Sequence, residues 1–150
     1  MHSIRAIFGI TLLMAVLALT ACGGGDEEQR NVMTNPVVEG LADKLLDTLQ
    51  AGDYEQLVGL YHASFFSGRA PEAWVDELKA IMVERGSMQS HILRRSQADT
   101  RFSGKFYILE YETVHDGNKR LHHLLTIVSP VEGGELRLVG HKITPWEREG

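Results

Sequence analysis

From Lys105 to Val114, and again from Lys119 to Val128, the chain is dense in β-branched, aromatic and aliphatic residues. A polar break, His115-Asp116-Gly117-Asn118, separates the two runs. Two such runs around an Asp-Gly turn predict a long antiparallel hairpin. A lone hairpin is marginal in water, so other segments must cover one of its faces. Strand alternation puts Phe106, Ile108, Glu110, Glu112 and Val114 on one face, and Tyr107, Leu109, Tyr111 and Thr113 on the other. In the second arm Leu121, His123, Leu125 and Ile127 alternate with His122, Leu124, Thr126 and Val128. Both faces carry apolar residues. The sheet is therefore covered on more than one side, or it curls so that different stretches meet the cover.

The cover comes earlier in the chain. Asn35-Pro36 suits a helix start, and Gly52 suits its end. Between them Val37, Val38, Leu41, Leu45, Thr48 and Leu49 recur at helical spacing. Asp53 with Gln56 three positions on predicts a capped second helix, apolar at Tyr54, Leu57, Leu60 and Tyr61. His62 to Phe66 breaks the period, and residues 67–70 read as a loop. Pro71 opens a third helix that ends at Gly86, with Trp74, Leu78, Ile81 and Met82 on one face. Phe65 and Phe66 read as plugs in the seam between helices and sheet. Met88 to Phe102 reads as a first strand with a bulge, Gly133-Gly134 as a turn, and Leu136 to Ile143 as a last strand closed by Pro145. Trp146 is expected to fold back on the sheet edge. Helices followed by antiparallel strands make an α+β order.

Composition adds the destination. The chain has 150 residues, a net charge of −5 and a single cysteine, so no intramolecular disulfide can form. No basic block points to nucleic acid; Arg94-Arg95 is too short to serve as one. Residues 1–21 begin with His2 and Arg5 and continue in an apolar run, Ile7 to Leu19, that is short for a membrane span. Leu19-Thr20-Ala21-Cys22 follows and resembles the bacterial lipobox. That resemblance implies a diacylglycerol on the Cys22 sulfur and acylation of its amino group, enough chains for stable membrane anchoring. Residues 22–34 are rich in glycine and charge and read as a flexible tether. At roughly 5–6 Å × √n it reaches on the order of 20 Å. Gly23 in place of aspartate after the cysteine implies, by the same resemblance, the periplasmic face of an outer membrane.

The order of elements resembles the nuclear transport factor 2-like fold, also called SnoaL-like or cystatin-like. The resemblance rests on Ala51-Gly52-Asp53-Tyr54, Leu60-Tyr61, Phe65-Phe66, Trp74, Gly86, the Gly104–Tyr111 strand and Val139-Gly140-His141. It is similar to small envelope lipoproteins of that superfamily. It implies a cone in which N-terminal helices pack on a curved four-stranded antiparallel sheet. Residues 35–144 form the domain and 145–150 a tail.

Three chemistries compete for the domain. A metal site needs His62, His91, His123 and His141 to converge in some combination; adjacent His122 and His123 point to opposite faces, and no HExxH or Cys/His spacing occurs. An acid–base site, which the resemblance implies for lyases and isomerases of this fold, needs Glu110 or His123 to face Tyr61 or Tyr111 inside an apolar cone. A binding module needs a pocket lined by Tyr54, Tyr61, Phe65, Phe66, Trp74 and Tyr111. The binding module is preferred: an anchored, non-catalytic accessory domain without cofactor or metal. It would hold a small apolar ligand, a peptide or an envelope protein, and pair with a second copy through the outer sheet face. The alternative is a small-molecule lyase or isomerase.

Overall fold

The computed structural model describes residues 35–146. Residues 1–34, on which the expected signal segment, Cys22 and the expected tether fall, and residues 147–150 lie outside the described residues. Among those described, no helix is long and apolar enough to cross a membrane.

Local signals set the helices. Helix α1, Pro36–Ala51, starts where the Asn35 side chain accepts from the Val37 and Val38 amides, and stops at Gly52 with φ 71°. Its buried face is Val38, Ala42, Leu45, Leu46 and Leu49. Val37, expected on that face, is 70% exposed, because a helix turns about 100° per residue and Val38 holds the inward position. Helix α2, Tyr54–Leu60, begins with the Asp53 carboxylate accepting from Gln56 N at 3.1 Å, and it buries Leu57. A 3₁₀ turn, Ala63–Phe66, leads to helix α3, Pro71–Arg85, which buries Trp74 and Leu78.

Four antiparallel strands follow in the order β1-β2-β3-β4: Met88–Arg101, Gly104–His115, Lys119–Pro130 and Arg137–Pro145. The β2–β3 hairpin turns through Asp116, Gly117 and Asn118, the last two at φ 68° and 59°. The last strand starts one residue after the expected Leu136 and runs on to Pro145.

Three irregularities interrupt the sheet register, at Met88/Ser90, Leu93/Arg95 and Thr126/Ile127, and the last two decide which side chains meet in the cone. On β1, Leu93 pairs with Tyr111 and Arg95 with Glu110, leaving Arg94 as an extra residue. On β4, Leu138 pairs with Ile127 and Gly140 with Thr126, leaving Val139 extra. Each bulge shifts the alternation by one, so Leu93 and Ser96 both face the helices, as do Leu138 and His141. The hairpin itself is regular. Tyr107, Leu109, Tyr111, Leu121, Leu125 and Ile127 are all buried on the concave side. Tyr61 bridges to Leu138, and His62 N donates to Leu138 O at 2.9 Å, tying the segment after α2 to β4. The core cluster runs from Val38 to Leu138 in the chain.

Candidate functional site

The cone interior holds a polar chain among rings. The Tyr61 hydroxyl lies 2.7 Å from His141 Nδ1, and His141 Nε2 lies 2.9 Å from His123 Nδ1. His123 is completely buried, and its Nε2 has no partner among the described residues. Burial pushes the Tyr61 hydroxyl up and holds His123 well below its ordinary value; His141 adds to the effect on His123. His141 falls to about 3, first through burial and then through the nearby Arg69 guanidinium. Both imidazoles are therefore neutral at pH 7. A consistent proton arrangement has Tyr61 donating to His141 and His141 donating to His123, which leaves the His123 Nε2–H as an unused donor.

Rings fill the space around this chain. Tyr61 stacks on Phe65 at 4.4 Å between centroids and meets Trp74 edge-on at 6.3 Å; Phe66 lies 5.0 Å from Phe65. Arg69 covers Trp74 at 4.6 Å. Four of the six residues expected to line a pocket thus pack on one another. Tyr111 stands elsewhere: its hydroxyl donates to Asp43 at 2.9 Å, with burial and then the Asp43 bond raising its pKa. His91 joins it there, 2.8 Å from Asp47 and 3.9 Å from Asp43. This cluster stitches α1 to the β1 edge.

Glu110 lies outside the cone. It sits on the outer sheet face, 3.7 Å from Arg95 and 3.6 Å from His122, and so cannot face Tyr61 or Tyr111. Its neighbour Glu112 is 2% exposed although no helix covers it, because Arg94 and Arg120 clamp it from either side. Trp146 folds over the same face, its amide bonded to Arg120 O and its ring 5.6 Å from His122. His62 pairs with Ser64, so of the four histidines considered for a metal only His123 and His141 meet. Among the described residues no three histidine, cysteine or acidic side chains are placed to hold a metal ion.

Tyr54, the sixth expected residue, lies in a groove between α2 and α3 of about 410 Å³. Val58, Pro71 and Val75 supply its apolar surface; Glu55, Glu72 and Asp76 supply carboxylates; Lys79 reaches over the Tyr54 ring at 5.3 Å. The sequence signal for this groove is the row Pro71, Val75, Lys79, four residues apart, left outward once Trp74 and Leu78 face in.

Helices laid across one face of a bent antiparallel sheet define an α+β cone. The fold is the nuclear transport factor 2-like one. Solved structures agree: a member of that family from Streptomyces avermitilis, assigned there as a candidate dehydratase, is similar at TM-score 0.51 and 12% identity, covering 75% of this chain and 95% of its own. A protein from Catenulispora acidiphila gives TM-score 0.51 at 15% identity, covering 73% and 88%. Bd1075 from Bdellovibrio bacteriovorus gives 0.51 at 9%, covering 75% of this chain and 40% of its own. At such identities the likeness is one of fold. No protein-family model and no curated protein matches the chain.

Proposed function

We propose that the protein is a lipid-anchored envelope domain of binding or accessory type, held to the membrane through Cys22. Its binding surface lies outside the cone, in the α2–α3 groove. The observation that carries this is the contrast between an interior packed with rings and an outer groove of about 410 Å³ with an apolar floor. The outer sheet face, with Phe106, Ile108 and Leu124 half-buried, fits a second copy of the chain.

One fractionation experiment tests both parts. The wild-type chain is expected in the membrane fraction with a small molecule or peptide that mass spectrometry detects. Cys22→Ala should move to the soluble fraction and still carry it. Val58→Asp should stay with the membrane and lose it. Cys22→Ala that remains in membranes refutes the anchor; an unchanged set of bound species in Val58→Asp refutes the groove. The alternative, a lyase or isomerase, is favoured only by the unused donor of His123, and it requires a path by which substrate reaches that atom.

A further inference from the structure

Four large apolar side chains are strongly exposed among the described residues: Val37, Val83, Phe102 and Val131. Singly, such residues mean little. Three of these share one end of the domain. Phe102, 101% exposed, sits at the tip of the β1–β2 turn, and Val131, 72% exposed, opens the β3–β4 connection beside it. The two turns are joined by a hydrogen bond from Val131 N to Ser103 O at 3.3 Å. Helix α1 starts at this end too. Asn35 Nδ2 donates to the Tyr107 hydroxyl, and further along α1 Asp43 meets Tyr111 and Asp47 meets His91, so the helix runs from the Gly104 end of β2 toward the His115 end. Val37, 70% exposed, belongs to its first turn.

The chain enters the fold at this same end. Residues 23–34, read from the sequence as a tether, separate Cys22 from Asn35. Charge at this end is close to balanced, although the whole chain is acidic: Asp99 is paired with Arg101 and Glu132 with Arg137, and exposed Lys105 stands against exposed Glu135, which leaves Glu39 in the first turn of α1.

We infer that this end is a membrane-contacting tip: Phe102, Val131 and Val37 dip into the headgroup region of a phospholipid bilayer and fix how the anchored domain stands. The inference rests on the anchored reading for its biological setting, but its test does not. Cys22 is the only cysteine, so the chain from Cys22 onward can be coupled through that thiol to a maleimide-bearing lipid, whether or not cells acylate it. The described core lies entirely within this piece.

Vesicles of phosphatidylethanolamine and phosphatidylglycerol then carry Phe102→Trp or, at the far end near Gly86, Val83→Trp. Both sites are exposed, so neither substitution disturbs packing. Relative to the unsubstituted chain, the added Phe102→Trp emission should shift to the blue and be quenched by brominated lipid, while that of Val83→Trp should do neither. Replacing Val131 by serine in the Phe102→Trp chain should weaken the quenching. A Phe102→Trp signal like that of a ring in water overturns the inference. Equal quenching at both ends overturns it as well, since the domain then has no preferred footing.

Discussion

His123 and His141 show how much one buried pair can dictate. Held neutral in the fold, each takes up a proton near pH 6.5 once unfolded. Between about 3 and 6.5 the unfolded chain therefore binds more protons at His141 than the folded one, and His123 acts in the same direction. Stability rises with pH through that window and is lost as pH falls through it. Urea midpoints should be flat above pH 6.5 in respect of these groups. Below it the unfolding free energy should drop, by roughly 1.4 kcal/mol per pH unit for each imidazole that stays neutral, and the midpoint with it. A midpoint unmoved between pH 7 and pH 5 would mean that the folded chain accepts those protons. Glu112 makes a second point at this scale. Strand alternation alone puts it on one face with Phe106, Ile108 and Glu110 and names no partner for it. The bulge at Arg94 instead swings that guanidinium to the same face, and the carboxylate is clamped. A period of two cannot foresee a residue inserted into it.

At the scale of elements most of the fold was legible. Asn35, Asp53 and Pro71 begin helices and Gly52 and Gly86 end them as their backbone chemistry requires, and the Asp116-Gly117 break turns the hairpin. The bulges at Arg94 and Val139 were not placed, and with them went the facing of His141, which reaches Tyr61 only because Val139 is extra. Glycines separate the two kinds of constraint. Gly104 has φ 147°, and a Cβ there would lie 2.4 Å from Ser129 O, a backbone atom that cannot swing aside. Gly104→Ala should cost at least about 2 kcal/mol in chemical denaturation. Gly59, in helix α2 with open space around it, should behave oppositely: Gly59→Ala stabilises by about 0.5–1 kcal/mol. Equal effects from the two substitutions would contradict the close approach of Gly104 to β3.

For the whole molecule the sequence reached the cone but not what fills it. Tyr61, Phe65, Phe66 and Trp74 are the right residues to line a pocket and equally the right ones to plug it, and only their mutual packing decides. Glu110 went to the wrong side for acid–base work because two apolar faces left the inward one undetermined until the helices were seen to cover Tyr107, Leu109 and Tyr111. The surfaces proposed for function lie outside this cluster of rings, at the α2–α3 groove, the outer sheet and the tip at Phe102. The most direct measurement is the rate at which diethyl pyrocarbonate modifies each histidine of the folded chain, read by peptide mass spectrometry. His62, on the surface beside Ser64, should react promptly, while His123 and His141 stay unmodified until the chain is unfolded. Modification of His123 at the rate of His62 would show an open path into the cone, contradict the burial of the histidine pair and restore the lyase.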